Sequence, residues 1–266
     1  MELKIMTWNI KGEASLGWNN NYKVVSEVVD KIIDQETHII VLTAFVVARG
    51  LDYLFERLHS EGYIWFISNR SGKNGILIAI KKELVDYKKL IENIYKENSI
   101  SSVIAGCNIL QVSFPLKCGK SLDIVGCRME TGGFDSLQEQ YDSERNVFDK
   151  VLLPVVKDRN CDLQIVCGDF NNARCLGNLK EKYCFRNYVG KAQCNYNLNI
   201  IKDSFEEIGF IIIDIDENGN SFPTHNGYIP DDHIFVHGGK CEECTVISAE
   251  GLSDHDIVKA TVNFEC

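Results

Sequence analysis

No run of apolar residues in this sequence is long enough to cross a membrane. The longest mostly apolar stretch is Ile39 to Ala48, and a spanning helix needs about 20 residues. A leader pattern is missing as well. Met1-Glu2-Leu3-Lys4 runs straight into alternating apolar residues, with no apolar core and cleavage site, so no signal peptide is expected. There is no excess of positive charge: 28 Lys and Arg stand against 38 Asp and Glu, a formal net charge of −10. Avid, non-specific nucleic-acid binding draws on many Lys and Arg, so the balance disfavours it. It does not exclude a small anionic substrate held by a metal and a local pocket. Internal repeats, linkers and low-complexity tracts are also absent. Cysteine, by contrast, is plentiful at 11 residues. Without a leader these read as reduced thiols in a cytoplasmic protein, and the odd number argues against complete pairing.

The 266 residues are 45% hydrophobic and 25% charged, an ordinary globular composition. They read as one domain over residues 1–266 and as a monomer. Alternation predicts a first strand ending at Asn9. Val24, Val25, Val28, Val29, Ile32 and Ile33 predict a helix over 20–36. Ile39 to Leu42 reads as a buried strand. A helix over 51–61 is stopped by Gly62. Strands are predicted over 63–68, 75–80, 102–115 and 121–127, the last two joined by a hairpin turn with Gly119. Leu137, Tyr141, Val147, Phe148, Val151 and Leu152 predict a long helix over 136–157. A strand over 163–167 follows, and then 175–199 shows no period. A helix over 200–208 and strands over 210–215, 233–237, 245–248 and 257–264 close the chain. Helices mixed with frequent hairpins point to an α/β (α+β) fold, two mixed β-sheets packed face to face with helices outside.

Four polar clusters each follow or open an apolar run. They are Thr7-Trp8-Asn9-Ile10, Gly168-Asp169-Phe170-Asn171, Asp231-Asp232-His233-Ile234-Phe235-Val236 and Ser253-Asp254-His255-Asp256. Together they supply hard oxygen ligands of the kind Mg²⁺ prefers and an imidazole able to activate water.

Their order and spacing resemble the endonuclease/exonuclease/phosphatase superfamily of metal-dependent phosphoesterases. The likeness runs from Asn9 to His255, and it implies a four-layered α/β sandwich. It further implies that Asn9 and Asp254 are metal ligands and that Asp169 orients or deprotonates the attacking water. Asn171 would hold the scissile phosphate, Asp232 would orient His255, and His255 would be general base or donor to the transition state. The implied cofactor is Mg²⁺ (or Mn²⁺).

Two positions depart from the pattern. The second family motif is a buried strand ending in a metal-binding Glu, and here Ile39-Ile40-Val41-Leu42-Thr43 is followed by Ala44. Either the natural protein is a degenerate member or this chain is an engineered inactive variant, and the intact strand favours the second. Where many members carry a His after the central hairpin, this chain has Arg128. Arginine cannot act as a general acid, but it can clamp a phosphate; the plain alternative is a surface salt bridge.

His237, Cys241 and Cys244 give a partial zinc pattern without a fourth ligand. Arg70, Lys73 and Asn74 read as a solvated turn. The segment after Arg174, with Lys180, Lys182, Arg186, Tyr188 and Lys191, is the best local basic and aromatic patch and reads as a specificity loop; Arg174 is a candidate substrate contact. The expected function is hydrolysis of a phosphodiester in a nucleic acid or nucleotide, with this chain inactive as written. The alternatives are a non-catalytic binder of a phosphate ligand, or a phosphomonoesterase on a soluble or lipid head-group phosphate. No membrane partner is expected.

Overall fold

In the first strand Leu3 and Ile5 lie on one face and Met6 and Trp8 on the other, and all four are fully buried. A strand apolar on both faces needs cover on both faces, and layered architecture follows from that need. The computed structural model describes residues 1–11, 22–45, 51–68, 75–91, 108–129, 146–158, 160–171, 174–176, 184–186, 192–195, 198–214, 221–227 and 229–266. For 22–25, 108, 174–176, 184–186, 192–195 and 198–200 it describes the backbone alone.

One six-stranded sheet has the order β13-β14-β1-β2-β4-β3. It comprises β1 (Glu2–Asn9), β2 (Ile39–Phe45), β3 (Tyr63–Ile67), β4 (Gly75–Lys81), β13 (Lys240–Ile247) and β14 (Ile257–Asn263). A five-stranded sheet has the order β11-β12-β7-β6-β5. Its strands are β5 (Asn108–Pro115), β6 (Ser121–Arg128), β7 (Leu163–Asp169), β11 (Ile211–Ile212) and β12 (Asp232–His237). Both sheets mix parallel and antiparallel pairs, for β1 runs parallel to β2 and β6 parallel to β7 while their other neighbours are antiparallel.

Three apolar clusters define four layers. Leu3, Ile5, Val41, Ile78, Leu122, Ile124, Ile165 and Ile234 fill the space between the sheets. Met6, Trp8, Ile40 and Leu42, on the far face of the first sheet, pack with α1 (Tyr22–Ile33) and α2 (Leu51–Ser60) through Val28, Ile32, Leu54 and Leu58. Val125, Val166 and Phe235, on the far face of the second, meet α3 (Leu153–Lys157) and α4 (Leu198–Glu207) through Val156, Ile201 and Phe205. The expected α/β sandwich is therefore the observed one, and the period of two along each strand is what sorts residues between layers.

Gly126 sets how closely the sheets approach. A Cβ there would lie 2.7 Å from Ile76 Cγ2 and 3.1 Å from Val41 Cγ1, both on the facing sheet. Any side chain at this position would push the sheets apart beneath the mouth where the polar motifs gather.

Some expectations need correction. The described part of the 136–157 helix, from 146 on, is α-helical for two residues, widens into a π-helical turn at Phe148–Leu152 and is α-helical again at Leu153–Lys157. Pro154 is the cause: its ring clashes with the carbonyl four residues back and it offers no N–H, so the preceding turn widens. Leu137 and Tyr141 lie outside the described residues, as do Arg70, Lys73 and Asn74. The strand expected over 210–215 shrinks to Ile211–Ile212. Arg174–Leu176, Cys184–Arg186 and Ala192–Asn195 form a small sheet (β8, β9 and β10) within the segment without period. Lys180, Lys182, Tyr188 and Lys191 lie outside the described residues. Among the described residues no helix is long and apolar enough to cross a membrane.

The expectation of eleven free thiols also gives way. Cys118, on the β5–β6 hairpin turn, is joined to Cys266 by a disulfide with Cα atoms 5.7 Å apart. The hairpin and the last residue meet because β14 delivers the C-terminus to the same end of the sandwich. The bridge spans a sequence separation of 148, and closing so long a loop removes about 5 kcal/mol of unfolded-state chain entropy. Oxidised protein should yield one linked Cys118–Cys266 peptide pair in a non-reducing digest, and reductant should lower its thermal midpoint. Modification of all eleven cysteines in denatured, unreduced protein would show the pair open.

Candidate active site

Following each inward face to its end assembles the site. On β1 the residues facing the second sheet are Leu3 and Ile5, and two more steps of two reach Asn9. On β7, Leu163, Ile165 and Cys167 lead in the same way to Asp169. On β6, Leu122 and Ile124 lead past Gly126 to Arg128. On β12, Val236 and Ile234 lead back to Asp232. Asp169 is the register partner of both Asp232 and Arg128. Four polar side chains thus end at one mouth of the apolar space between the sheets.

Asp169 is fully buried and gathers donors from several strands. Asn9 Nδ2 donates to its Oδ2 at 2.7 Å, Asn171 Nδ2 to the same oxygen at 2.8 Å, and the Asn171 backbone N–H to Oδ1 at 3.0 Å. Arg128 Nε stands 3.5 Å from Oδ2. Gly168 makes this approach possible: its φ is +142°, and a Cβ would meet Cys127 O at 2.0 Å. Burial pushes the Asp169 carboxyl up to about 6, the Asp232 and Asp231 charges add to this, and His255 and Arg128 oppose it.

His255 lies in the loop before β14, held by two neighbours. Trp8 Nε1 donates to its carbonyl at 2.8 Å, and its own N–H donates to Ser253 Oγ at 3.2 Å. Ring Nδ1 is 2.7 Å from Asp232 Oδ2, and Nε2 is 3.3 Å from Asn9 Nδ2. Thr224 Oγ1 also donates to Asp232 Oδ2 at 2.8 Å. Burial opposes a charge on the ring, but Asp232, its hydrogen bond, Asp169 and Asp231 outweigh it and raise the pKa to about 10. A doubly protonated ring is a hydrogen-bond donor rather than a general base, and its Nε2–H must then turn from the Asn9 amide, itself a donor, toward an incoming oxygen.

Asn171 departs from expectation. Its two amide hydrogens go to Met129 O, at 2.8 Å, and to Asp169. The amide therefore orients Asp169 and has no hydrogen left for a phosphate in this conformation. Arg174 opens β8; its side chain is not described. His233, between the two motif aspartates and the apolar strand, faces the other way. It is buried against Phe170 and pairs with Asp214 at 2.5 Å. His237, Cys241 and Cys244 form no metal cluster among the described residues. A bulge between Cys241 and Glu243 instead turns both cysteines onto the apolar space between the sheets.

The motif reading passes over Thr224, Lys11 and His225. The His225 ring stacks on His255 with centroids 4.2 Å apart and planes within 5°. Its Nδ1 is 3.0 Å from Asp231 Oδ2, so two adjacent aspartates each hold one of two stacked imidazoles. The tandem Asp231-Asp232 is the one sequence signal that could have pointed to a second histidine.

Among the described residues two groups of side chains bring ligand atoms within 4.8 Å of one another: His225, Asp254 and His255, and Asp169, Asp232 and His255. The second is already knit by its own hydrogen bonds. In the first the imidazoles are parallel, and no single ion lies in both ring planes. Of the three positions that the resemblance assigns to the metal, only Asp254 is a carboxylate, and its Oδ2 takes the Lys11 ammonium at 2.7 Å. Burial works against that charge, but Lys11, His255 and His225 hold the Asp254 carboxyl below its usual range. Ala44 directly follows Thr43, the register partner of Asn9. It sits in a bulge with φ +50° and offers no donor atom. The residues present do not fit a magnesium ion held in that manner.

The His255 shift carries a sign. A pKa raised from 6.5 to about 10 gives stability that is fully present below the unfolded value and is lost as pH rises through the folded one. Thermal midpoints measured from pH 7 to 10.5 should fall with rising pH, and Asp232→Asn should flatten that fall. An equal slope in both proteins would separate Asp232 from the titration of the ring.

No curated protein matches the chain in sequence. Among solved structures, TDP2 from D. rerio in complex with a single-strand DNA product superposes with a TM-score of 0.61 at 14% identity, over 98% of this chain and 99% of that one. An AP endonuclease from Archaeoglobus fulgidus gives 0.60 at 16%, over 99% and 100%. The human nocturnin catalytic domain with a bound sulfate anion gives 0.58 at 15%, over 99% and 95%. At such identities the likeness carries the fold. The model of the Endonuclease/Exonuclease/phosphatase family matches residues 6–255, nearly the whole chain and all of the clustered residues, and the chain belongs to that family.

Proposed function

We propose that the chain recognises the phosphodiester of a nucleic acid or nucleotide at the mouth between its sheets, as a family phosphoesterase short of one acidic position. The observation that carries this reading is the convergence of Asn9, Asp169, Asp232 and His255, from four separate stretches of chain, into one hydrogen-bonded cluster. Phosphoryl transfer asks a protein mostly for positioning and charge stabilisation, and the cluster is arranged for both. Asp169, with a carboxyl near 6, takes a proton from water at neutral pH. Asn9 and Asn171 hold that carboxylate in place. His255, cationic, donates to the oxygen on which charge builds. Arg128, on the same inward row, clamps the phosphate. The cytoplasmic, monomeric, single-domain state belongs to the same proposal.

In the family chemistry that the sequence implies, a bound Mg²⁺ or Mn²⁺ would supply polarisation of the phosphate and stabilisation of the leaving oxygen. This chain lacks the carboxylate to hold such an ion, and Ala44 therefore favours a second reading: a binder that holds a phosphate ester without cleaving it.

Hydrolysis assays separate the two. Single-stranded DNA is the first substrate to try, and a panel of phosphomonoesters the second. The chain as written should be slow or inactive. Ala44→Glu should raise hydrolysis with Mg²⁺ at least ~100-fold, since a metal supplies several kcal/mol of charge stabilisation. In that background Asp232→Asn and His255→Ala should each cost at least ~100-fold, the scale of acid–base catalysis. Equal rates with Ala44 and Glu would show that position 44 is not the missing ligand.

A further inference from the structure

Lys11 has no part in the mechanism above, yet it touches both oxygens that the resemblance would give to a metal. Its backbone is left-handed, φ +46°, and that turn makes two contacts. The Lys11 N–H donates to Asn9 Oδ1 at 3.0 Å, and the ammonium donates to Asp254 Oδ2 at 2.7 Å. The third metal position is Ala44. One residue thus engages the two remaining oxygens, in a site where the third has been lost.

An exposed ion pair alone would mean little. The Lys11 side chain is 56% exposed and that of Asp254 29%. What sets this pair apart is its place. The ammonium stands on the carboxylate that would otherwise face the metal. The surrounding cationic donors are Arg128, 3.5 Å from Asp169, and the imidazole of His255 on Asp232. The other groups facing Asp254 are Ser253, at 3.5 Å from its Oδ1, and His225, whose Nε2 is 3.9 Å from its Oδ2.

We propose that Lys11 is the resident cation of this site and that the chain takes up the phosphate of a nucleotide or nucleic acid without a divalent metal. The proposal rests on the phosphate-recognition reading and adds the source of charge. A lysine ammonium binds phosphate as a point charge on a flexible stem. Here the base of the stem is fixed by the Asn9 contact, while the exposed tip can bridge Asp254 and a phosphate oxygen. The ammonium adds its attraction for the ester to that of Arg128 and His255. It cannot act as a Lewis acid toward it, and retention without rapid turnover follows. Binding of this kind weakens steeply with added salt.

The test is fluorescence anisotropy with a short labelled single-stranded DNA, in EDTA and in Mg²⁺, with inorganic phosphate as competitor. The unchanged chain should bind equally well in the two buffers. Lys11→Gln keeps the backbone N–H and should weaken binding in EDTA at least ~10-fold, the scale of one lost charged hydrogen bond. Lys11→Arg should retain binding. Thermal midpoints of the variants check the fold. Binding that survives Lys11→Gln, or that appears only with Mg²⁺, would overturn the assignment of Lys11 alone. No binding by the unchanged chain in either buffer would overturn the phosphate reading with it.

Discussion

A carboxylate buried at the mouth between two sheets organises this molecule. Asp169 ends an apolar strand between two sheets and must find hydrogen-bond donors there, because an unpaired buried charge is far costlier than a paired one. It takes them from Asn9 on the first sheet and from Asn171 just beyond its own strand, and the Arg128 guanidinium on the adjacent strand adds its charge at 3.5 Å. Satisfying one charge therefore ties both sheets together at their mouth. His255 enters the same cluster from the loop before β14, anchored to Asp232 and, through its carbonyl, to Trp8. The contacts that offset the burial of Asp169 are also those that would handle a phosphate.

Much of this was legible in the sequence, for a physical reason. The strands are buried on both faces, so their apolar runs stand out, and a polar residue ending such a run is conspicuous. Asn9, Asp169 and Asp232 are of this kind, and the structure brings all three together with His255. The four-layered arrangement was legible from the same runs. Other features depend on distant parts of the chain. The Cys118–Cys266 bridge joins a hairpin turn to the last residue, and no local pattern announces it. Thr224 and His225 lie in a stretch without period, and His225 reaches the site through an isolated bridge to His255. The π-helical turn before Pro154 interrupts what the apolar spacing reads as one helix. Cys241 and Cys244 carried metal-like spacing, but a bulge turns both toward the apolar space between the sheets, where they pack half-buried.

Electrostatics distinguish this member of the family from the pattern that its motifs resemble. The cluster keeps the Asp169 carboxylate and the His255 imidazole. It lacks a carboxylate at position 44, and a lysine engages the two oxygens that remain. The backbone at Ala44 departs from the strand with a left-handed residue. A site built on rigid strand ends permits a change of charge at one side chain without a change of scaffold.

The central claim is that a phosphate ester sits at the mouth defined by Asn9, Arg128, Asp169 and His255. A crystal structure with a short single-stranded DNA tests it most directly. The account predicts a backbone phosphate at hydrogen-bond distance from His255 Nε2 and the Arg128 guanidinium. A phosphate bound elsewhere, for instance in the cleft of Lys81, Lys82 and Lys117, with that mouth unvisited, would contradict it.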